Sequence, residues 1–538
     1  MKVSRPGHAS LLVLSGEGPY FKNGRYFDGS LLALDRSEVL LRDAPGDALA
    51  DLTLHDLVIF DGAGGHPLLR PKRGAIPNLT SFTLDSILAQ CGREYEMFDL
   101  HHVWERDQEP LAEPGVVFLS TTFICARRTL MRAIGWIEER YPAATLVLGG
   151  QYSNLKYDAI MREFPSVDYV VRGDGEVAIP LLLDALDQEL AASAVVNLVH
   201  RDAAGRVTVN DIGYIDLDGY PSPSFGARAY PIVPYESMRG CPYRCKFCSF
   251  PFASPEWRYK SAAKIADDWR RYADDNGATH IRAMDSTFTV PPSRMHALFD
   301  LLPDVPVTWE AYTRANALRS AETIAALEAT GCSKLSIGFE SMSPNTLDYM
   351  FKKVTAEHNR VAHDLLRTSA IHARMSFMVG YPGETPEDYE LTHRYLCDEF
   401  SGHFMLSVFS MTDETMPVWQ DAQRFEIVVD DLDNPDDGWR HVGMDLTTAS
   451  ELHARTLDEV RRNSEDAVLL LWQTDYHTPL VPGMDRRTNL RLEKVVERLG
   501  MLPVDVPDGR ERLDAARGLL AELGTHGIGV RHQVAATI

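Results

Sequence analysis

Short apolar runs alternate with amphipathic segments through the first third of the chain. The runs are rich in Val, Leu and Ile and too short for helices, so each is predicted to be a buried strand. The predicted strands are Leu11–Leu14, Asp56–Gly62, Tyr95–Leu100, Gly115–Thr121, Thr145–Gly150 and Asp168–Gly173. The predicted helices between them are Leu79–Cys91, which Gly92 caps, Ala126–Arg140 and Glu176–Leu186. This alternation predicts a doubly wound parallel sheet, a Rossmann-like α/β domain whose ligand lies at the carboxyl ends of the strands.

A second alternating region follows a connector rich in proline and glycine. Six strands in β/α order predict a (β/α)6 partial TIM barrel. The predicted strands are Ile232–Ser237, His280–Asp285, Val307–Thr313, Lys334–Glu340, Arg374–Tyr381 and His403–Ser410. The predicted helices are Ser261–Asn276, Pro292–Leu302, Ser320–Thr330, Ala356–Thr368 and Pro386–Phe400.

The alternation becomes irregular after Ser410, where an acidic run over residues 430–438 precedes two helical patterns. These patterns, near Thr447–Arg462 and Leu490–Leu499, predict a mainly helical C-terminal cap. We place the domain boundaries at 1–190 for the Rossmann-like domain, 191–228 for the connector, 229–425 for the barrel and 426–538 for the cap.

Composition narrows the classes of partner. The 538 residues are 45% hydrophobic and 24% charged, a globular balance. A formal charge of −23 disfavours nucleic acid and anionic lipid as partners. The apolar runs are far shorter than a membrane span and the start has no secretory pattern, so we expect a cytoplasmic protein with no membrane partner. Four of the seven cysteines are widely spaced, which disfavours a disulfide framework.

The other three cysteines, Cys241, Cys245 and Cys248, lie within eight residues directly after the first barrel strand. A structural zinc ion takes four ligands, usually as two separated pairs, and no second pair lies nearby in the sequence. An iron–sulfur cubane bound by three cysteines leaves one iron open for a substrate. A zinc site completed by a distant histidine is the alternative.

This CxxxCxxC spacing, on the loop after the first barrel strand, resembles the signature of the radical SAM enzymes. The resemblance implies a [4Fe–4S] cluster and S-adenosylmethionine, which is cleaved by one electron to methionine and a 5′-deoxyadenosyl radical. It also implies an external electron donor of the flavodoxin or ferredoxin type. Phe247 lies where the family places an aromatic residue close to the adenine.

Polar residues follow the later barrel strands, at the end of the barrel where active sites form. By resemblance to similar enzymes, such groups hold the methionyl amine, the methionyl carboxylate and the ribose. We assign Arg314 to the carboxylate and Glu340 to the ribose or amine, and count Asp285 among the cofactor-binding residues. Solvation of strand ends is the alternative for Asp285 and Glu340, and the segment Gly380–Thr385 also reads as a helix N-terminus.

Small residues gather at one edge of the predicted N-terminal sheet, where a large ligand could approach the backbone. A nucleotide would explain them equally well. A Rossmann-like domain that ends in Gly-Asp-Gly-Glu before a radical SAM core resembles the cobalamin-binding domain of cobalamin-dependent radical SAM enzymes. The resemblance spans roughly residues 8–410. The candidate cobalamin-binding residues are Ser120, Thr121, Gly149, Gly150, Gly173 and Glu176.

The sequence departs from one group of cobalamin-binding domains in the residue that would bind cobalt from below. Cobalamin domains that bind cobalt through histidine carry Asp-x-His-x-x-Gly after the first strand, whereas here residues 15–21 contain no histidine. His101 and His102 follow a later strand without the glycine, and we interpret them as loop residues. We therefore expect cobalamin with no protein histidine below the metal. With only Cys91 and Cys125 in this region, methylthiotransferase chemistry lacks its second cluster.

The resemblance implies a methyltransferase acting on an unactivated carbon or a phosphinate phosphorus of a small metabolite in natural-product (antibiotic) biosynthesis. It would use methylcobalamin and a 5′-deoxyadenosyl radical. The segments Ser120–Phe123 and Asp285–Pro291 resemble those of phosphinate P-methyltransferases. Anion-binding candidates at the barrel mouth are Arg239, Arg244, Arg258 and Lys260, whose alternative is ordinary surface charge. Two other functions stay open: non-methylating cyclisation, rearrangement or oxidation with the same cofactors, and a cobalamin/iron–sulfur sensor.

Overall fold

The computed structural model describes most of the chain. The described residues are 10–16, 59–60, 66–67, 76–110, 113–124, 126–187, 190–411, 414–432, 438–469 and 483–529. Cys125, most of the loop over residues 15–21 and part of the acidic run over 430–438 lie outside them. No helix among these residues is both long and apolar enough to cross a membrane.

The N-terminal domain is built on a seven-stranded sheet in the order β4-β1-β5-β6-β7-β8-β9. The first five of these strands are parallel, and β8 and β9 are antiparallel additions. The strands are β1 Leu11–Ser15, β4 Tyr95–Asp99, β5 Val116–Ser120, β6 Thr145–Gly149, β7 Val167–Val171, β8 Leu198–Arg201 and β9 Val207–Val209. The helices are α1 Leu79–Gln90, α2 His101–Glu105, α3 Arg127–Arg140, α4 Gln151–Glu163 and α5 Gly175–Leu186. The predicted Rossmann-like fold is confirmed.

Two local predictions in this region were wrong. Strands β8 and β9 extend the sheet through the segment that the sequence assigned to the connector. The predicted strand Asp56–Gly62 is described only at β2 Ile59–Phe60, and β2 joins β3 His66–Pro67 and β21 Ile528–Gly529 in a separate antiparallel sheet. The strand Asp56–Gly62 was misplaced because a short apolar run does not show which sheet it joins. Strands β8 and β9 were missed because their antiparallel pairing depends on residues distant in the chain.

The second domain is a parallel sheet in the order β10-β13-β14-β15-β16-β17-β20. Its strands are β10 Ile232–Tyr235, β13 His280–Ala283, β14 Thr308–Arg314, β15 Cys332–Glu340, β16 His372–Val379, β17 Gly402–Val408 and β20 Ala467–Leu469. Its helices are α6 Phe250–Ala253, α7 Ala262–Asn276, α8 Pro292–Leu301, α9 Ala321–Ala329, α10 Pro344–Tyr349, α11 Ala356–Leu366 and α12 Pro386–Arg394. The six predicted strands of the partial barrel are present.

The C-terminal region adds the seventh strand, because β20 pairs in parallel with β17. Its other elements are α13 Ala422–Phe425, β18 Val428–Val429, β19 Trp439–Arg440, α14 Leu446–Asn463, α15 Arg486–Asp505 and α16 Gly509–Gly524. Leu457, Leu499 and Leu519 are buried and belong to the same apolar core as the barrel. The mainly helical character of this region is confirmed, and the region also completes the barrel sheet.

Local sequence explains the best-predicted helix boundaries. Thr385 and Asp388 form a capping box at the start of α12, with Pro386 at the first helical position. Gly277 ends α7 at φ +62°, a left-handed conformation that favours glycine. Helix α12 continues into a π-helical turn over Tyr395–Glu399 before β17 begins.

Candidate functional site

The three clustered cysteines lie in a loop closed at its base by two short strands. Strand β11, Met238–Arg239, pairs antiparallel with β12, Arg258–Tyr259, and so joins the two ends of the loop. Between them, Gly240 adopts φ +76°, and a Cβ there would lie 2.6 Å from the carbonyl oxygen of Glu256. Only glycine fits this approach, which places Cys241 directly after the strand pair.

The loop also contacts two segments that follow later strands of the barrel, β15 and β17. The Lys246 amide donates to the Met350 carbonyl at 2.8 Å, and the Val418 amide donates to the Lys246 carbonyl at 2.9 Å. The Lys246 ammonium forms an ion pair with Asp421. Cysteine positions are therefore set by contacts with α10 and with the turn that precedes α13.

Cys241, Cys245 and Cys248 line one cavity of about 250 Å³ at the carboxyl ends of the barrel strands. Phe247, Arg314 and Glu340 line the same cavity, so the structure brings these six predicted residues together. Burial raises the pKa of Cys248 to about 11. Of the residues that the structure describes, no further cysteine and no histidine lines this cavity.

Arg314 contacts the cysteine loop directly. Its Nη1 donates to the Cys245 sulfur at 3.3 Å, its Nη2 donates to the Lys352 carbonyl, and its guanidinium lies 3.8 Å from the centroid of the Tyr243 ring. Its Nε is buried without a hydrogen-bond partner, and the residue lines the cavity. The guanidinium therefore holds one cysteine in place and still has a donor to offer.

Glu340 ends β15 in a left-handed conformation at φ +64°. A non-glycine residue with positive φ is uncommon and is found where the surroundings hold it. The Lys352 ammonium provides part of that hold, because it donates to Glu340 Oε1 at 2.8 Å. The carboxylate thus reaches the cavity as half of a buried ion pair.

Asp285 does not line the cavity. Its Oδ1 accepts from the Ser237 and Met238 amides at 2.7 and 2.9 Å, and its Oδ2 accepts from the Ser237 hydroxyl at 2.5 Å. Burial raises its pKa to about 6. The carboxyl group therefore holds the turn between β10 and β11, and the cysteine loop begins directly after β11.

Four of the predicted residues at the edge of the N-terminal sheet lie together. The Thr121 hydroxyl contacts the Gly149 carbonyl at 2.9 Å and the Ser153 hydroxyl at 2.8 Å, and Thr121 is fully buried. Ser120 contacts the Thr122 hydroxyl at 3.4 Å. Gly150 adopts φ +111°, and a Cβ there would lie 2.7 Å from the Thr122 amide nitrogen. The ends of β5 and β6 thus pack closely together at the start of α4, and they carry Ser120, Thr121, Gly149 and Gly150.

The other two predicted residues, Gly173 and Glu176, belong to the junction between the domains. Glu176 is buried and forms two hydrogen bonds with Arg239, from Nη1 at 3.0 Å and from Nη2 at 2.6 Å. The Gly173 amide donates to Asn154, whose side chain donates to the Ala253 carbonyl in the cysteine loop. The Gly-Asp-Gly-Glu turn is therefore attached to the cysteine loop.

His101 and His102 lie in the short helix α2, so their prediction as loop residues was wrong. His102 Nδ1 lies 2.6 Å from Asp107, and His101 Nδ1 lies 2.8 Å from Asp99. Both imidazoles are thus paired with carboxylates at the edge strand β4.

Three of the four basic anion-binding candidates pair with protein groups. Arg239 contacts Asp174, Glu176 and Glu236, while Arg258 contacts Asp174 at 2.8 Å. Buried Lys260 donates to the Ser222 hydroxyl at 2.8 Å. Arg244 is exposed and does not line the cavity.

Five cavity residues in the middle of strands were not predicted from the sequence. Tyr312, Ser336, Arg374, Ser376 and Met405 all line the cavity, yet none stands at a strand end. Alternation along each strand places them on the barrel-facing side, and this pattern could have identified them.

Two exposed aromatic side chains were also not singled out. Phe123, after β5, is 43% exposed, and Phe252, in the cysteine loop, is 45% exposed. Their chain neighbours contact α4: Thr121, two residues before Phe123, contacts Ser153, and Ala253, next to Phe252, accepts from Asn154. An apolar surface is thus available where the edge of the N-terminal sheet approaches the cysteine loop.

Comparison with known proteins agrees with this arrangement. The Radical SAM superfamily profile matches residues 235–396. An uncharacterised methyltransferase of Pyrococcus horikoshii is 27% identical over 262 residues, which cover 46% of this chain and 57% of that protein. An anaerobic magnesium-protoporphyrin IX monomethyl ester cyclase of Cereibacter sphaeroides is 28% identical over 321 residues, covering 55% of this chain and 51% of that protein. The chain spans about half the length of these curated relatives.

A solved structure shares the two-domain fold. The radical S-adenosylmethionine methyltransferase TsrM of Kitasatospora setae, with cobalamin and a [4Fe–4S] cluster bound, matches with a TM-score of 0.52 at 20% identity. The match covers 65% of this chain and 74% of TsrM. Residues 235–396 therefore match the Radical SAM superfamily, and the fold of this chain is similar to that of TsrM.

Proposed function

We propose that this protein is a cobalamin-dependent radical SAM methyltransferase. Its substrate is a small metabolite, methylated at an unactivated carbon or at a phosphinate phosphorus. The observation that carries the proposal is a juxtaposition: three cysteines face one cavity, and the edge of the Rossmann-like sheet is attached to their loop through Asn154 and Ala253.

The donor set of the cavity fits an iron–sulfur cluster. Thiolates are the ligands of such clusters, and three of them leave one iron open. In the described part of the chain, the sulfur atoms of the three cysteines do not all lie within 4.8 Å of one another. Ligands on one tetrahedral zinc ion lie closer together, since zinc–sulfur bonds are about 2.3 Å long. Spacing and donor type both favour the cluster over zinc.

The edge of the N-terminal sheet fits a large flat cofactor. Ser120, Gly149 and Gly150 project little side-chain volume there, and Phe123 and Phe252 supply exposed apolar surface on the adjoining elements. The expectation that cobalt takes no histidine ligand from this chain stays a prediction.

When bound, the cluster would supply an electron for cleavage of S-adenosylmethionine, and cobalamin would supply a methyl group. The chain's own residues position these reactants. Cys241, Cys245 and Cys248 would hold the cluster, and Arg314 fixes Cys245 through its 3.3 Å contact. Arg314, with its remaining donor, and Glu340 line the cavity beside the cysteines, where S-adenosylmethionine would bind. An external electron donor of the flavodoxin or ferredoxin type completes the proposal.

A non-methylating reaction is the second candidate, and the similarity to a cyclase favours it. Both candidates use the same cofactor sites, so their products distinguish them. Methyl transfer from S-adenosylmethionine forms S-adenosylhomocysteine, whereas radical cyclisation forms only 5′-deoxyadenosine from it.

The test begins with protein reconstituted anaerobically with iron, sulfide and hydroxocobalamin. After addition of S-adenosylmethionine and reductant, 5′-deoxyadenosine and S-adenosylhomocysteine are quantified. We expect both nucleosides from the wild type and from the control Cys332→Ala, which alters a buried cysteine outside the site. We expect no 5′-deoxyadenosine from Cys245→Ala. 5′-Deoxyadenosine without S-adenosylhomocysteine would favour the cyclase-type reaction, and unchanged formation by Cys245→Ala would refute the cluster assignment.

A further inference from the structure

An arginine at the cavity has an unused donor. Arg374 donates from Nε to the Ser336 hydroxyl at 2.6 Å and from Nη2 to the Tyr312 hydroxyl at 3.0 Å. Its Nη1 is buried without a hydrogen-bond partner. No described Asp or Glu lies within ion-pair distance of this guanidinium, unlike Arg239 and Arg258 at the domain junction.

Strand register separates this arginine from the cysteine loop. Tyr312, Ser336 and Arg374 are aligned neighbours on β14, β15 and β16. Two residues further along each strand, the next aligned set contains Arg314, which contacts Cys245. At roughly 3.3 Å per residue, the Arg374 set lies about 6.6 Å further from the cysteine loop, toward the amino ends of the strands. We call this level, where Arg374 is partly buried and Tyr312 is 41% exposed, the floor of the cavity, and the level of Arg314 beside the cysteine loop its rim.

The charges beneath the floor make it cationic. Arg282 and Lys334 both pair with one carboxylate, Glu310, at 2.5 and 3.5 Å. Arg374 adds a third positive charge without adding a negative one. Burial, helped by the positive charges of Arg374 and Arg282, lowers the pKa of Lys334 to about 8. This local excess contrasts with the net charge of −23 for the whole chain.

A guanidinium whose buried Nη1 has no hydrogen-bond partner fits an anion, because guanidinium groups bind oxyanions through paired N–H donors. We infer that Arg374 and Tyr312 form a subsite for an oxyanion of the substrate, a carboxylate, phosphinate or phosphonate group. The substrate would enter with this group at the floor and its reacting atom toward the cysteine rim. The inference deepens the proposed function and rests on it for the identity of the cavity.

Two molecules could supply such an oxyanion: the substrate or S-adenosylmethionine through its own carboxylate. The distance of Arg374 from the cysteine loop favours the substrate, since Arg314 already offers a donor at the rim beside Cys245. Both sources share the same chemistry, so the experiment must measure them separately.

The test is isothermal titration calorimetry on cluster-loaded protein, with phenylphosphonate and benzoate as anionic probes and benzamide as the neutral probe. We expect both anions to bind the wild type at least tenfold more tightly than benzamide. Arg374→Gln should weaken anion binding at least tenfold and leave benzamide unchanged. Tyr312→Phe should weaken it by about threefold. The control Arg360→Gln, on the outer helix α11, should bind like the wild type.

Separate titration with S-adenosylmethionine identifies the source of the oxyanion. Affinity for S-adenosylmethionine within twofold of the wild type in Arg374→Gln supports the substrate subsite. A tenfold loss of that affinity with unchanged phenylphosphonate binding would overturn it, as would wild-type protein that does not prefer the anions over benzamide. Iron content and melting temperature of each variant verify folding, and Tyr312→Phe serves as the test if Arg374→Gln does not fold.

Binding is measured without turnover, so the two proposals fail separately. Loss of 5′-deoxyadenosine formation in the wild type would refute the proposed function. Intact 5′-deoxyadenosine formation without Arg374-dependent anion binding would refute only the subsite.

Discussion

Arg239 and Glu176 join the two domains through a pair of parallel hydrogen bonds at 2.6 and 3.0 Å. Arg239 lies in β11, directly before the cysteine loop, and Glu176 lies in the first turn of α5. Asp174 also contacts Arg239 at 2.9 Å and Arg258 at 2.8 Å. The cysteine loop and the edge of the Rossmann-like sheet are therefore fixed relative to each other by buried charges.

Removing Arg239 should destabilise this junction more than removing Glu176. Arg239→Gln leaves the buried carboxylates Asp174 and Glu176 with less compensation, whereas Glu176→Gln leaves an arginine that still has Asp174 and Glu236. Unpairing a buried charge typically costs about 3 kcal/mol or more. We expect a lower melting temperature for Arg239→Gln, measured by calorimetry. Faster hydrogen exchange over 173–176 and 238–241 should accompany it, and equal effects of the two variants would contradict this ranking.

Loss of one loop cysteine should remove the cluster without unfolding the chain. Cys245→Ala deletes a ligand that the Arg314 contact holds in place, so iron and sulfide per chain should fall to a small fraction of the wild-type content. The visible absorbance of the cluster should fall with them. Cys332→Ala is the matched control, because Cys332 is a buried cysteine of β15 and should leave the iron content unchanged.

Gly240→Ala should distort the cysteine loop. The new Cβ would lie 2.6 Å from the Glu256 carbonyl oxygen, and the φ of +76° adds strain of about 1 to 2 kcal/mol. Gly277→Ala has nearly the same φ, +62°, but its Cβ would meet no atom within 4 Å. We therefore expect reduced iron loading only for Gly240→Ala. Equal iron content in the two variants would show that the close approach to Glu256 is unimportant.

Glu384 should make stability depend on pH. Burial raises its pKa to about 8 from an ordinary 4.5, although its carboxyl group accepts from the Gly380 amide at 2.7 Å. Because the folded-state pKa is raised, the group's stabilising contribution is fully present below pH 4.5 and is lost as pH rises through 8. Glu384→Gln lacks this loss, so its melting temperature relative to wild type should rise by a few degrees between pH 5 and about pH 8.5. A constant difference across this range would refute the assignment.

The sequence predicted the elements of both domains because their periodicity and caps are local signals. The capping box at Thr385 and the glycine after α7 fixed helix ends closely. The antiparallel strands β8 and β9 and the seventh barrel strand β20 were not predicted, because their pairing depends on residues distant in the chain.

Only the part of the candidate site that depends on local sequence was predicted, because contacts between distant residues leave no local signal. The cysteine spacing is local, whereas the roles of Asp285 and Glu176 depend on partners 48 and 63 residues away. Arg374 lies within a strand, where alternation places it on the barrel-facing side but does not show which side chains it contacts. Its significance emerged only from its alignment with Tyr312 and Ser336.

The central claim is that one chain holds both a cluster and cobalamin. Its most direct test is metal analysis of a single anaerobic sample, reconstituted with iron, sulfide and hydroxocobalamin and freed of unbound material. The account predicts about four irons and about one cobalt per chain, with little zinc. Iron without retained cobalt would contradict the cobalamin domain, and zinc in place of iron would contradict the cluster.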